Sequence, residues 1–298
     1  MPEDAGVTLD HVAVAVERWS EAWPRYAIEL GGGWASGGLN VGFGPAQLQF
    51  ANGARIEVLQ PWQAEANPFL RRFLDRHGPG PHHLTFKVPN LAAALDDVHA
   101  AGLSPVGVDL TDPGWKEAFI HPHEATGIVV QLAQASGGWQ SPPPEGFPTR
   151  DGNAGADAPD AALVRVTHAV ASIPDALALF ERLLAGKVVG RGTASEGSWE
   201  YVDVAWDRPP VLRLVASVPS RPGRAPADGL SAWLEGRTGR LHHLAFTSRA
   251  ASTTGDSVPA DAVPGVLASD LPAWVVEPER NLGTRLVVGD AGTTVHPH

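Results

Sequence analysis

The sequence repeats itself, and this repeat restricts the possible folds more than any other feature of the chain. Residues 9–14 (LDHVAV) resemble residues 166–171 (VTHAVA), with an offset of 157 between their histidines (168 − 11). The letters HHL at 82–84 recur at 242–244, with an offset of 160 (243 − 83). An offset that stays nearly constant along a chain indicates an internal duplication. The second half is therefore predicted to be a diverged copy of the first and to share its fold.

A shorter repeat lies within the first half. His11 and His83 each open an apolar strand, HVAVAV and HLTFKV, and each strand is followed by a predicted helix. In the first half, the patterns predict strands over Leu9–Val16, Arg55–Leu59, His83–Val88, Ala118–His121 and Ile128–Leu132, and helices over Trp19–Leu30, Phe69–His77 and Leu91–Ala101. Glu57 and Gln131 each lie in a later strand, 46 residues after His11 (57 − 11) and 48 residues after His83 (131 − 83). Each half is therefore predicted to hold two βαβββ modules, which makes the chain an α+β protein of four modules.

The two halves are separated by a segment rich in Gly, Pro, Ala and Asp. Neither helical nor strand periodicity survives in this segment, which is typical of a linker. We therefore predict a first domain over residues 1–135, a linker over 136–160 and a second domain over 161–298. The length of 298 residues agrees with two domains.

Composition excludes several classes of function. With 22 Lys and Arg against 33 Asp and Glu, the formal net charge is −11, which disfavours nucleic-acid and anionic-membrane partners. The sequence shows no run of 18 apolar residues and no basic-then-apolar leader, so we expect a cytoplasmic protein. The chain has no Cys, so any metal site has to use His, carboxylates and amides.

Four polar residues lie at matched positions of the two modules in the first half: His11, Glu57, His83 and Gln131. Two related modules that pack about a pseudo-twofold axis bring equivalent positions together around one cavity. Two imidazoles, a carboxylate and an amide oxygen are suitable ligands for a first-row divalent cation. A single His or Glu in a strand more often lies at an edge or faces solvent, and the recurrence at matched positions is what favours a metal. We therefore predict one divalent ion here, namely Fe, Co, Mn, Ni or Zn.

The second half has not kept this set. Alignment of the repeat places Arg213 and Val287 at the positions of the carboxylate and the amide, while His168 and His243 remain. Two imidazoles that face a guanidinium do not form a metal site. The second domain is therefore predicted to be a scaffold, and the alternative is that Arg213 and the two histidines bind an anionic group.

Four segments of the first half, LDHVAVAV, ARIEVLQP, GPHHLTFKV and FIHPHEATGIVVQLAQ, resemble the vicinal oxygen chelate superfamily of glyoxalases, bleomycin resistance proteins and extradiol dioxygenases. Over about residues 7–135 the chain is most similar to the methylmalonyl-CoA epimerases, and the second half resembles the superfamily more weakly. The resemblance implies two tandem glyoxalase-like domains, in which paired βαβββ modules form U-shaped sheets, with a divalent metal in the first. It also implies that His11, Glu57, His83 and Gln131 occupy the four ligand positions of the family.

Two positions depart from the epimerases. The last ligand is a carboxylate in that group and is Gln131 here, which leaves only one negative ligand. The epimerases also carry a Glu in the strand before the second ligand, whereas no Asp or Glu lies between Glu29 and Glu57. Gln47 and Gln49 are among the nearest polar side chains. Because proton abstraction needs a positioned base, methylmalonyl-CoA epimerase activity itself is not expected.

Three functions fit this site. The first is a metal-dependent isomerase, epimerase or lyase that chelates adjacent oxygens of a small metabolite, with Glu117 and His121 on the closing strand as candidate bases. The second is a non-haem Fe(II) dioxygenase of the extradiol type, because two His and one carboxylate are the ligands of such iron sites. The third is a non-catalytic small-molecule binding or resistance protein. In each case the expected partner is a small molecule, and the chain is expected to be a monomer or a homodimer.

Overall fold

The computed structural model describes most of the chain. The described ranges are 6–137, 141–148, 161–194, 198–218, 229–248, 256–257, 263–266 and 273–290. Parts of the predicted linker, 138–140 and 149–160, lie outside the described residues. Within the described ranges the chain forms two eight-stranded sheets, one from each half. The predicted α+β fold with two tandem domains is therefore confirmed.

The first sheet consists of two βαβββ modules joined side by side. Its strands are β1 (Thr8–Ala15), β2 (Gly33–Gly37), β3 (Gly42–Gln49), β4 (Arg55–Trp62), β5 (Gly80–Lys87), β6 (Val106–Asp109), β7 (Trp115–Ile120) and β8 (Val129–Ala135). Their order is β2-β3-β4-β1-β5-β8-β7-β6. The first strand of each module pairs in parallel with the last, β1 with β4 and β5 with β8, and the modules meet where β1 and β5 pair antiparallel.

The second sheet repeats this arrangement. Its strands are β9 (Ala162–Val170), β10 (Lys187–Thr193), β11 (Trp199–Ala205), β12 (Val211–Ser217), β13 (Gly239–Ser248), β14 (Asp256–Ser257), β15 (Ala273–Val276) and β16 (Leu286–Asp290). Their order is β10-β11-β12-β9-β13-β16-β15-β14. Strand for strand this is the order of the first sheet, so the duplication read from the sequence is also a duplication of topology.

The helices of the first domain follow their sequence patterns in two of three cases. α1 (Phe69–His77) has the predicted bounds, and α2 (Leu91–Ala100) begins after Asn90, whose side chain accepts a hydrogen bond from the backbone N–H of Ala93. The helix predicted over Trp19–Leu30 is instead a 3₁₀ turn (Trp19–Glu21) followed by a π-helical segment (Trp23–Glu29).

The second domain has shorter helices. α3 (Ile173–Leu177) continues as a π-helical segment (Ala178–Leu183), and α4 (Leu230–Leu234) precedes β13. None of the helices in the described part of the chain is long and apolar enough to cross a membrane.

One face of each sheet belongs to a shared apolar core. Buried side chains from both sheets form a single cluster that includes Val12, Ile56, Leu84, Val166 and Leu212. Because side chains alternate along a strand, the opposite face of each sheet carries a different set of residues. We call the face that carries His11, Glu57 and His83 the first site face, and the corresponding face of the second sheet the second site face.

The two domains also touch through backbone. A Cβ atom at Gly127 would overlap the carbonyl oxygen of Gly239, and a Cβ at Gly239 would overlap the carbonyl oxygen of Thr126. On the other side of the pseudo-twofold axis, a Cβ at Gly283 would overlap the carbonyl oxygen of Pro79. Such close approach between domains is open only to glycine at these positions.

Candidate metal centre

The structure brings three of the four predicted ligands into one buried cluster at the middle of the first sheet. His11 lies on β1, Glu57 on β4 and His83 on β5, and they are 1%, 8% and 4% exposed. The Nε2 atom of His11 lies 3.5 Å from Oε2 of Glu57, and Nε2 of His83 lies 3.7 Å from the same oxygen. One ligand atom from each residue lies within 4.8 Å of the others. Among the residues that the structure describes, this is the one cluster with that geometry.

An unpaired nitrogen in this cluster is the observation that tests whether a cation fits. Nε2 of His83 is buried and has no hydrogen-bond partner in the structure. A buried polar atom without a partner costs about 1–3 kcal/mol, so native proteins rarely leave one unexplained. Burial, reinforced by His82 and His11, holds the pKa of His83 well below its usual range, so the ring is neutral and one of its two nitrogens carries a lone pair. The chemistry of the cluster therefore fits a divalent cation.

A neighbouring carboxylate fixes the orientation of the His11 ring. Nδ1 of His11 lies 2.8 Å from Oδ2 of Asp10, and Oδ1 of Asp10 lies 3.0 Å from Nζ of Lys87. A carboxylate behind a ligand histidine sets its tautomer and its direction. Burial alone lowers the pKa of His11, but the carboxylates of Glu57 and Asp10 outweigh it and raise the pKa to about 9. Because a ligand imidazole must be neutral, binding of a cation would release this proton.

Gln131, the fourth predicted ligand, lies beside the cluster on β8 and is buried. Its Oε1 accepts a hydrogen bond of 2.6 Å from Oγ1 of Thr85, which also lies 2.8 Å from Nε2 of His11. Its Nε2 donates a hydrogen bond of 2.7 Å to Oε2 of Glu117. Both the oxygen and the nitrogen of the Gln131 amide are therefore hydrogen-bonded, and the oxygen lies on the side of the histidines.

Glu117, one of the two candidate bases, lies on β7 next to this amide. Its Oε2 accepts hydrogen bonds from Nε2 of Gln131 and from Nε1 of Trp115, the latter 2.8 Å long. Burial raises the pKa of Glu117, and these two hydrogen bonds oppose the rise only in part. The structure therefore places Glu117 in contact with the candidate ligand set.

His121, the other candidate base, lies elsewhere. β7 ends at Ile120, so His121 is not on the closing strand as the sequence predicts. The residue is exposed, and its Nδ1 accepts a hydrogen bond from the backbone N–H of His123. His121 is therefore not part of the buried cluster of His11, Glu57 and His83, and its role as a base stays a prediction.

Gln47 lies on β3, the strand in which the epimerases carry a second carboxylate according to the resemblance. It pairs directly with Glu57 in the sheet register. Its Nε2 donates a hydrogen bond of 3.2 Å to Oε1 of Glu57. An amide at this position orients the Glu57 carboxylate, since the hydrogen bond leaves Oε2 directed at the two histidines.

Two residues that position the candidate ligands, Asp10 and Thr85, were not predicted from the sequence. Thr85 was nevertheless predictable, because a residue two positions from His83 in a strand lies on the same face of the sheet as His83. Asp10 was not, because it reaches the same side as His11 only through an irregularity in the pairing of β1 with β5 between Leu9 and His11.

On the second site face, the alignment read from the sequence is wrong at the first histidine. β12 pairs with β9 so that Arg213 lies opposite Thr167, just as Glu57 lies opposite Ala13 in the first sheet. His168, the next residue after Thr167, therefore faces away from the second site face. Its Nε2 donates a hydrogen bond of 2.8 Å to the carbonyl oxygen of Thr126 in the first domain.

The structural counterpart of His11 follows from the same register. His11 lies opposite Thr85, two residues beyond the pair of Ala13 with His83. In the second sheet Thr167 pairs with His243, and Arg165 pairs with Ala245 two residues further on. Arg165 therefore stands where His11 stands in the first domain, and the second domain keeps only one of the two histidines at a ligand position.

Arg213 is fully engaged within its own domain. Its Nε and Nη2 each donate a hydrogen bond of 2.7 Å to the two carboxylate oxygens of Asp203, and its Nη1 donates one of 2.8 Å to the carbonyl oxygen of Gly265. The guanidinium also lies 4.3 Å from the centroid of the Tyr201 ring. These contacts favour the predicted scaffold role of the second domain over anion binding by Arg213.

A short segment of chain fills the second site face. Val263 and Val266 pack against Val275 and Val287, and Gly265 lies against Thr167. This segment belongs to the connection between β14 and β15. The corresponding connection of the first domain, residues 110–114 between β6 and β7, is exposed. The two site faces therefore differ both in their side chains and in what covers them.

Comparison with known proteins agrees with this fold. The model of the Glyoxalase/Bleomycin resistance protein/Dioxygenase superfamily matches residues 10–119. The chain is 30% identical over 142 residues to the uncharacterized protein YqjC of Bacillus subtilis (strain 168), which covers 43% of this chain and 93% of that protein. It is also 30% identical over 132 residues to an ethylmalonyl-CoA/methylmalonyl-CoA epimerase of Cereibacter sphaeroides, with 42% of this chain and 96% of the epimerase covered.

One solved structure resembles both domains together. A mutant of 4-hydroxymandelate synthase from Streptomyces coelicolor superposes with a TM-score of 0.54 and 16% identity. The match covers 82% of this chain and 71% of the synthase. At this identity the similarity concerns the two-domain fold and not the reaction.

Proposed function

The chain belongs to the glyoxalase/bleomycin resistance protein/dioxygenase superfamily, and from this premise we propose that its first domain is a metal-dependent enzyme of the isomerase, epimerase or lyase type. Its substrate is a small metabolite with two adjacent oxygens. The observation that carries the proposal is the buried cluster of His11, Glu57 and His83, in which Nε2 of His83 has no hydrogen-bond partner within the protein. When bound there, a divalent metal supplies Lewis acidity that stabilises negative charge on the oxygens of the substrate.

The protein's own residues have three roles in this proposal. His11, Glu57 and His83 hold the cation, with Gln131 as a weaker neutral ligand. Asp10, Thr85 and Gln47 keep these side chains in position through the hydrogen bonds described above. The third role, proton transfer, falls to Glu117.

Glu117 is the carboxylate that suits proton transfer best. It is half-buried next to Gln131, and burial raises its pKa toward the range in which a carboxylate exchanges protons efficiently near neutral pH. One relative is an ethylmalonyl-CoA/methylmalonyl-CoA epimerase, so proton abstraction next to a carbonyl group is the reference reaction. Because β3 carries Gln47 opposite Glu57, the base cannot be supplied from that strand.

The test is the metal content of the full chain purified without a His-tag. We expect about one first-row divalent ion per chain, with cobalt, manganese, nickel or zinc favouring the isomerase or lyase type. Glu57→Ala removes the only carboxylate of the cluster and is expected to abolish stoichiometric binding. Glu277→Ala, which removes a partly exposed carboxylate of the second domain, serves as the control and is expected to retain the metal. Unchanged metal content in Glu57→Ala would refute the site.

The ligand set itself favours a second candidate function. Two histidines and one carboxylate within 4.8 Å of one another are the ligands of non-haem Fe(II) oxygenases. Iron in the purified protein, together with oxygen uptake on a panel of catechols, would support a ring-cleaving dioxygenase. Binding of a substrate without turnover under either metal would support the non-catalytic binding or resistance protein instead.

A further inference from the structure

Each domain contains two adjacent histidines on its central antiparallel strand, and the two pairs have the same internal contact. Nδ1 of His82 lies 2.8 Å from Nδ1 of His83, and Nδ1 of His242 lies 2.8 Å from Nδ1 of His243. A neutral imidazole has one N–H and one lone pair. One histidine of each pair must therefore donate a hydrogen bond to the other. The direction of this hydrogen bond decides which nitrogen of the accepting ring carries the hydrogen.

The direction is determined in the second domain by Arg285. Nη1 of Arg285 lies 2.9 Å from Nε2 of His242. A guanidinium only donates hydrogen bonds, so Nε2 of His242 is the acceptor. Burial lowers the pKa of His242 to about 3, so the ring is neutral and its single hydrogen lies on Nδ1.

The rest of the chain of hydrogen bonds follows from this assignment. Nδ1–H of His242 donates to Nδ1 of His243, so the hydrogen of the neutral His243 ring lies on Nε2. That N–H donates in turn to Oγ1 of Thr167 at 3.0 Å. A ring nitrogen that carries a hydrogen has no lone pair for a metal. Nε2 of His243 is therefore blocked as a ligand atom by protein contacts alone.

The first domain has no arginine at this position. Leu84 pairs with Val130 as Leu244 pairs with Leu286, so the preceding residue, Val129, is the counterpart of Arg285. His82 is half-buried and reaches solvent, while Nε2 of His83 has no hydrogen-bond partner within the protein. His83 is thus free to donate from Nδ1 to His82 and to direct a lone pair into the cluster.

We propose that Arg285 fixes the tautomer of His243 through His242, and that Val129 at the equivalent position is what allows His83 to act as a metal ligand. The part concerning His83 rests on the proposed function of the first domain, whereas the part concerning His243 does not. The residue at the position of Arg285 and Val129 contacts no ligand atom directly. It nevertheless decides whether the second histidine of the pair directs a lone pair or an N–H at the site face of its domain.

Arg285 is itself held in place by two neighbours. Its Nη2 and Nε lie 2.8 and 2.9 Å from Oε2 of Glu277, and its guanidinium lies 4.4 Å from the centroid of the Trp233 ring. The register of β7 and β15 makes His121 the counterpart of Glu277. The first domain therefore lacks both the arginine and its carboxylate partner.

The first experiment determines the tautomers directly. Long-range ¹H–¹⁵N spectra of the full chain, labelled with ¹⁵N-histidine and treated with a chelator, are assigned with His243→Gln and His242→Gln. We expect the hydrogen of His243 on Nε2 and that of His242 on Nδ1, and we expect Arg285→Met to weaken or mix this pattern. A hydrogen on Nδ1 of His243 in the unsubstituted protein would overturn the proposal.

The second experiment transfers the arginine pair to the first domain. The double variant Val129→Arg/His121→Glu is expected to bind Co²⁺ about ten- to a hundredfold more weakly than the unsubstituted chain in a calorimetric titration. Val129→Met/His121→Glu has similar bulk without the cation and is expected to retain the affinity. An equal loss in both variants, with unchanged thermal unfolding, would overturn the proposal.

The two experiments separate this inference from the proposed function. If the unsubstituted chain binds no Co²⁺, the proposed function fails, while the tautomer of His243 still decides whether Arg285 acts as described. If Co²⁺ binds and the tautomer is the opposite one, the proposed function stands and this inference fails.

Discussion

The two site faces of the molecule share one topology and differ in how their buried polar atoms are satisfied. On the first, Nε2 of His83 is buried without a partner next to Glu57. On the second, His243 bonds to Thr167, and Arg213 bonds to Asp203 and Gly265. The two faces therefore differ in whether the buried histidine nitrogen at the ligand position already has a hydrogen-bond partner within the protein.

Of the substitutions that separate the two site faces, Arg213→Ala is expected to change stability the most. This change leaves the Asp203 carboxylate without its partner in a nearly buried position, and we expect the free energy of unfolding to fall by about 3–5 kcal/mol. Urea unfolding followed by tryptophan fluorescence measures it. Arg55→Ala is the control, because Arg55 lies 3.9 Å from Asp10 and is about one-third exposed, so its loss should cost under about 1 kcal/mol. An equal loss of stability in both variants would show that the contacts of Arg213 contribute no more than those of a surface arginine.

A second, smaller effect concerns His168, which the sequence pairs with His11 but the structure assigns to packing between domains. Burial lowers the pKa of His168 from 6.5 to about 4. The unfolded chain therefore takes up a proton at this residue below pH 6.5 while the folded protein does not, so stability present above pH 6.5 is lost as the pH falls toward 4. The loss from this residue amounts to about 3 kcal/mol.

His168→Gln should remove this part of the pH dependence. We expect a shallower decline of the free energy of unfolding between pH 6.5 and 4 than in the unsubstituted protein. His99→Gln, at an exposed position of α2, should leave the decline unchanged. A decline in His168→Gln as steep as in the unsubstituted protein would contradict the packing role.

The smallest effect is expected from exchanging the amide and the carboxylate of Gln131 and Glu117. The double variant Gln131→Glu/Glu117→Gln keeps their 2.7 Å hydrogen bond but moves the negative charge toward the histidines. We expect Zn²⁺ to bind about tenfold more tightly, since a charged ligand replaces a neutral one. Calorimetric titration against Glu117→Gln alone is the check, and affinity no higher than that of the unsubstituted chain would show that Gln131 is not directed at the cation.

The fold was predictable from the sequence because the repeat extends over whole modules and domains. Substitutions at individual positions therefore leave the repeat recognisable. In the first domain, the strands that the sequence did not predict were β2, β3 and β6, of which β2 (GWASG) and β3 (GFGPAQLQ) are rich in Gly or Pro. These residues are depleted in strands, and here the pairing with β4 and its neighbours overrides local preference. The helix over Trp19–Leu30 was predicted as one piece, and its π-helical segment has no sequence pattern that would have distinguished it.

That His11, Glu57 and His83 lie together was predictable from the sequence, whereas the residues of the second site face were not, because side chains alternate along a strand. His11 and His168 align by sequence, yet the structural counterpart of His11 is Arg165, three residues earlier. Since strand side chains alternate, an odd shift moves a residue to the opposite face of the sheet. Neither this shift nor the segment containing Gly265 can be read from residue types, because both depend on contacts between distant parts of the chain.

The glycine contacts between the domains bear on how the protein responds to dilution. Gly127 against Gly239 and Gly283 against Pro79 join two surfaces that the linker keeps within one molecule. The effective concentration of two domains joined by a linker is set by the linker and not by the concentration of the protein in solution. A protein assembled from separate subunits loses such a contact by mass action when its concentration falls. This chain carries the partner of its first domain with it, so the apolar face behind the ligand cluster stays covered at any concentration.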